Sequence, residues 1–256
     1  MAVQIHHKFN IDYTLSGQGI SILFIHGLDS DSRIWKSWVT HFSCSHHCIN
    51  IDLPGHGSSE IQDLNFNFQD ICKCIKDLVL QNTSNKIQIV GHSLGAQCAT
   101  WFQLYYPELV EKLVLISPAG MEVFTRWEIV GLQQMVQLIP GSEALMKLTK
   151  DDIIAGQING CMSMKYMKFY VGLITANPIL NELQKVKCPV HLSYGLEDKL
   201  IPNKVFHRNL SIKDVYRSAV TRLHSYKGIL LKNSGHFSLI DRKEKLIESV
   251  DAFIAL

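Results

Sequence analysis

The chain has 256 residues, 46% of them hydrophobic and 19% charged, and its 25 Lys and Arg against 23 Asp and Glu give a formal net charge of +2. This length suits one large domain, or one carrying an insertion, whose core needs no disulfide or metal staple. The near-balanced charge and the lack of any basic block exclude the footprint of a nucleic-acid binder, and there is no run of ~18 uncharged apolar residues to span a membrane.

In chain order, residues 1–8 lack the basic-then-apolar pattern of a signal peptide. The seven cysteines are odd in number and scattered, which fits reduced thiols and a cytoplasmic location. Two β-rich segments near 3–9 and 11–15 are joined too tightly for a crossover helix, so they predict an antiparallel hairpin at a sheet edge. Short apolar runs follow at 20–25, 48–51, 87–90, 113–116, 189–194 and 228–231. Helical apolar spacing lies between or after them, near 31–43, 67–82, 94–106, 202–223 and 241–255. Strand and helix in alternation predict an α/β fold, a mostly parallel sheet with helices on both faces.

One stretch breaks the alternation. Residues 121–177 show helical spacing and no convincing strand, which predicts a helical lid over 119–178 inserted into a core domain made of 1–118 and 179–256. Every methionine except Met1 falls in this stretch. Flexible thioethers suit an adaptable apolar surface, although packing of the lid against the core explains them more simply.

The chemistry centres on Gly91-His92-Ser93-Leu94-Gly95, between an apolar run and a helical one. A serine hydroxyl is a weak nucleophile and must be held where a base can reach it. A sharp strand-to-helix turn does this, and the flanking glycines let strand and helix approach without Cβ clashes. Ser93 is the candidate nucleophile. The partners expected after such a turn are an acid and then a histidine. Asp198 follows the 189–194 run and His236 follows the 228–231 run, and loops at the carboxyl ends of parallel strands open on one edge. His236 would take and return the hydroxyl proton, and Asp198 would fix its tautomer, with Glu197 as the rival acid. The oxyanion donors expected are the N–H groups of Leu94 and, in His26-Gly27-Leu28-Asp29, of Leu28.

These segments together resemble the α/β-hydrolase family. The matching residues are His26-Gly27, Asp52-Leu53-Pro54-Gly55-His56-Gly57-Ser58-Ser59, the turn at 91–95, Tyr106-Pro107-Glu108, Asp198 with Ile201-Pro202, and Gly235-His236. The resemblance implies an eight-stranded sheet with a lid after the sixth strand, and a structural rather than catalytic role for His56. Thirty-four positions separate Pro202 from His236, more than in relatives, with an extra helical piece near 213–224. Serine at position 93 departs from the dehalogenase and epoxide hydrolase branches, which carry aspartate there. Size and lid placement are similar to the pimeloyl carrier-protein methyl ester esterases of biotin synthesis. That similarity implies an acidic carrier-protein partner, for which Lys147 and Lys150, then Lys165 and Lys168, would form a basic face, although an ordinary solvated surface explains these lysines more simply.

Cys44-Ser45-His46-His47-Cys48 holds soft metal ligands, but alternate residues of an extended strand face opposite ways, so no zinc site is expected. The reading is a serine hydrolase of a small-molecule carboxylic ester with an apolar acyl or alcohol part, needing no cofactor or metal. Phe124, Trp127, Met135, Tyr166, Phe169 and Tyr170 of the lid would line its pocket. Thioesterases, lactonases and carbon–carbon bond hydrolases share the constellation, and a ligand-binding protein of the same fold is the non-enzymatic alternative.

Overall fold

The computed structural model describes residues 2–138 and 162–256. Eight strands form one sheet: β1 Ala2–His6, β2 Phe9–Ser16, β3 Ser21–Ile25, β4 His47–Ile51, β5 Ile87–His92, β6 Val110–Ile116, β7 Val190–Gly195 and β8 Tyr226–Leu231. Their spatial order is β1-β2-β4-β3-β5-β6-β7-β8. β1 and β2 form the antiparallel edge hairpin, β2 pairs antiparallel with β4, and every later pairing is parallel.

The central strands are mostly apolar on both sides because both faces are covered, with Asn50, Gln88, His191 and Ser193 as buried polar exceptions. Side chains alternate between two cores. Leu23 and Ile25 of β3 and Leu113 and Leu115 of β6 join the core that also holds residues of α2 (Phe68–Asn82) and α3 (Leu94–Tyr105). Ile22, Phe24, Val114 and Ile116 point the other way, toward Trp38 and Phe42 of α1 (Lys36–Phe42) and Val250 and Phe253 of α8 (Lys243–Ile254). Trp38 donates its indole N–H to the carbonyl of Leu239 at 3.0 Å, which ties α1 to the short helix α7 (Ser238–Asp241) just after His236.

Between β6 and β7 lie α4 (Arg126–Leu138) and α5 (Met164–Ala176), packed on each other. Residues 139–161, the middle of the expected lid, lie outside the described residues. The helical spacing over 202–223 overreaches. The helix there, α6, is only Ile212–Val220. Its start is set by a capping box, in which the Ser211 side chain accepts from the Asp214 N–H and the Asp214 carboxylate accepts from the Ser211 N–H. Residues 203–206 are turned instead by Asn203, whose side-chain oxygen accepts from the backbone of Val205 and Phe206. Among the described residues no helix is long and apolar enough to cross a membrane.

Candidate active site

Ser93 sits between β5 and α3 with φ 52° and ψ −115°. For a residue with a Cβ this region costs ~1–3 kcal/mol, strain that the surroundings must hold. They do so with backbone bonds: the Ser93 N–H donates to the Ile116 carbonyl at 2.9 Å, and the Ser93 carbonyl accepts from Ala119 at 3.1 Å. A Cβ on Gly91 would lie 2.6 Å from the Gly95 carbonyl oxygen, and one on Gly95 would overlap the carbonyl oxygens of Ile25 and His26. Both glycines are therefore required by close backbone approach.

Beyond β7, Asp198 accepts the Leu200 and Ile201 N–H groups on one oxygen, at 2.9 and 3.0 Å. Its other oxygen meets His236 Nδ1 at 2.9 Å. A carboxylate only accepts, so Nδ1 is the donor, and the neutral tautomer that this bond selects has its lone pair on Nε2. Both side chains are buried, and Ser93 and His236 line the same cavity, of about 230 Å³. Glu197, the rival acid, is used elsewhere: its carboxylate accepts the Ser234 N–H at 2.8 Å and so braces the loop that carries His236. Asp241 accepts the Gly235 N–H at 2.9 Å in the same loop.

The two N–H groups expected to face an oxyanion belong to Leu28 and Leu94. Among the described residues no oxygen accepts from either, as an anion site of waiting donors requires. The loop that carries Leu28 is fixed by His26, which contacts the Gly27 carbonyl through Nδ1 at 2.7 Å and accepts the Leu53 N–H at Nε2, 2.9 Å away. Burial lowers the His26 pKa, which keeps the ring neutral for this double role. Segment 52–59 is scaffold: Asp52 accepts the N–H groups of Ser32 and Ser58 at 2.7 and 2.9 Å. His56 is buried against Tyr170 and lies outside the cavity lining.

Two residues near Ser93 and His236 escape the motif reading. His92 Nε2 lies 3.0 Å from the His236 carbonyl oxygen, joining the serine turn to the histidine loop. Burial lowers its pKa well below the ordinary range, so it is a neutral donor. Its place inside the pentapeptide was the only signal. Glu122, just after β6, lines the cavity and is buried. Nothing in its sequence context marks it.

Of the residues expected to shape a pocket, Phe124 lines the cavity. Trp127 does not, being 84% exposed on α4, and half-buried Met135 is also outside the lining. Tyr170 points away from the cavity because its hydroxyl donates to the Pro54 carbonyl at 2.6 Å, and Phe169 packs with its ring tilted against Phe66, 4.7 Å between centroids. Tyr166 lies against Gly55. Leu132, Val171 and Ile174 supply the helical wall instead. Of the four lysines, Lys165 is exposed and Lys168 half-buried on α5, while Lys147 and Lys150 lie outside the described residues.

Asp29, next to Leu28, has φ 57° and is almost fully buried. One of its oxygens accepts the Met162 N–H at 3.2 Å. Burial pushes its pKa up from 3.8 to about 6, against the pull of that hydrogen bond. The folded chain then holds a proton that the unfolded chain releases near pH 4, so this stabilisation is full below about pH 4 and is lost as pH rises through about 6. Asp29→Asn keeps the acceptor and tolerates positive φ. It is expected to be more stable than the parent at pH 8 by about 2–3 kcal/mol, with the gap closing below pH 4, as read by urea denaturation at both pH values.

A family described as alpha/beta hydrolase fold matches residues 20–142. The chain has the α/β-hydrolase fold. It is 28% identical over 229 residues to human monoacylglycerol lipase ABHD6, covering 86% of this chain and 62% of the lipase. It is 29% identical over 159 residues to an uncharacterized protein of Mycobacterium bovis, covering 60% of this chain and 46% of that protein. The matches thus span less than two thirds of these relatives. Among solved structures, a thermophilic esterase from Thermogutta terrifontis superposes with a TM-score of 0.83 at 15% identity, covering 96% of this chain and 93% of the esterase. The enol-lactonase from Burkholderia xenovorans gives 0.82 at 14% identity, with 97% of each chain covered.

Proposed function

We propose that this α/β-hydrolase-fold protein is a serine hydrolase that cleaves a carboxylic ester with an apolar acyl or alcohol part. The observation that carries this reading is the buried His236–Asp198 hydrogen bond, at 2.9 Å, on a cavity that Ser93 also lines. His236 Nε2 removes the Ser93 proton as Oγ attacks the ester carbonyl. The tetrahedral oxyanion is received by the N–H groups of Leu28 and Leu94. The imidazolium, stabilised by Asp198, then passes its proton to the departing alkoxide, and the acyl group stays on Ser93. Water, activated by the same imidazole, releases the acid and restores the serine.

The largely apolar wall, including Phe124, Leu132, Val171 and Ile174, supports an apolar substrate part. A monoacylglycerol, the substrate class named for the ABHD6 relative, is an ester of this kind, and a lactone is the same bond with its leaving group tethered. Short p-nitrophenyl esters test the reading. Turnover is expected, with an initial burst where deacylation is slower than acylation, and Ser93→Ala is expected to lower kcat by about 10⁴-fold or more. Turnover that survives Ser93→Ala would assign the chemistry to other residues.

A further inference from the structure

The cavity has one feature that ester cleavage by Ser93, His236 and Asp198 leaves unused. Its wall is apolar at Leu28, Ala119, Phe124, Leu132, Val171 and Ile201, yet the same wall includes Glu122. The carboxylate is held in place from one side. Its Oε1 accepts the Asn203 N–H at 2.8 Å and meets His207 Nδ1 at 2.5 Å. The Phe124 ring lies 4.8 Å from the His207 ring between centroids, and so packs the imidazole against this arrangement. Oε2 accepts from no described group. That oxygen is not among the fully buried side-chain atoms, so its lone pairs stay open to a donor that enters the cavity.

We propose that Glu122, oriented by His207 and Asn203, is a specificity residue whose Oε2 accepts a hydrogen bond from a hydroxyl on the substrate, in the acyl or the alcohol half. This inference rests on the hydrolase reading and deepens it, since it makes the substrate an apolar ester bearing a hydroxyl. The fixed orientation means that binding need not reorganise the acceptor, and the apolar surroundings strengthen the bond. Burial, with the Asp198 carboxylate contributing, also raises the Glu122 pKa against the hydrogen bonds from His207 and Asn203, the mark of a group that gains from a further donor.

Isosteric ester pairs test it: 2-hydroxyethyl butyrate against propyl butyrate for the alcohol half, and ethyl 5-hydroxypentanoate against ethyl hexanoate for the acyl half. In the parent enzyme at least one pair is expected to favour the hydroxyl ester by about tenfold or more in kcat/KM, because a site built to bind a hydroxyl rejects its absence. Glu122→Leu is expected to bring that ratio to one or below. Should Glu122→Leu fail to fold, Glu122→Gln, which keeps the shape and makes the acceptor neutral, is expected to lower the ratio at least about threefold. Turnover of both pairs with no preference for the hydroxyl, or a preference unchanged by substitution, overturns this inference and leaves the hydrolase reading standing. Absence of any turnover together with an unreactive Ser93 overturns both.

Discussion

Asp198→Asn is expected to lower kcat by about 10⁴-fold while leaving the protein folded. The amide oxygen can still accept the N–H groups of Leu200 and Ile201, which now bond one carboxylate oxygen, so the loop keeps its shape. The amide nitrogen would then face His236 Nδ1 where a carboxylate oxygen now accepts. A donor there forces Nδ1 to become the acceptor and moves the ring proton to Nε2, where it blocks removal of the Ser93 proton. Glu197→Gln is the control. Glu197 braces the histidine loop through the Ser234 N–H and does not touch the imidazole, and a neutral amide oxygen can still accept that bond. It is expected to cost less than about tenfold. Steady-state kinetics with a thermal melt for each variant decide the matter. Equal losses in the two variants would contradict the assignment of the acid.

Gly95→Ala is expected to damage stability and catalysis together. The added methyl would press on the carbonyl oxygens of Ile25 and His26, at the end of β3 where the Leu28 loop begins. Neither obstacle is the flexible end of a side chain. Relief requires α3 to move away from β3, which overpacks the core at a cost of about 1–3 kcal/mol or more. The same movement displaces the Leu94 N–H from the Leu28 N–H. Loss of one well-aimed oxyanion donor lowers kcat about 10²–10³-fold. Denaturation midpoints and kcat for the purified variant provide the check. A variant with both values near those of the parent would mean that the close approach does not position the donors.

Much of this arrangement was legible in the sequence because it is written in local pattern. The serine turn needs glycines two positions on either side, and the strands beside it need apolar residues for both faces. A pentapeptide between an apolar run and a helical run therefore carries its own geometry. Asp198 and His236 could be assigned by order along the chain, since each follows a strand of the same parallel sheet. What could not be read were bonds between loops distant in sequence. Glu122 meets His207 across 85 positions, and His92 meets the His236 carbonyl across 144. Of the lid aromatics Phe124 lines the cavity, while Trp127, Tyr166, Phe169 and Tyr170 do not, for a related reason. Helical spacing shows that α5 has an apolar face, but not that Tyr170 spends its hydroxyl on Pro54 while Val171 and Ile174 turn to the cavity. The overlong helix at 202–223 reflects apolar spacing read without the Ser211–Asp214 box that sets its true start.

The reactivity proposed for the Ser93 hydroxyl comes from an imidazole fixed at the same cavity. The most direct measurement is treatment of the folded protein with a fluorophosphonate, followed by peptide mass spectrometry. One adduct is expected, on Ser93, formed fast in the parent and at least about a hundredfold more slowly in His236→Ala. An adduct on another residue, or labelling of Ser93 at the same rate without His236, would contradict it.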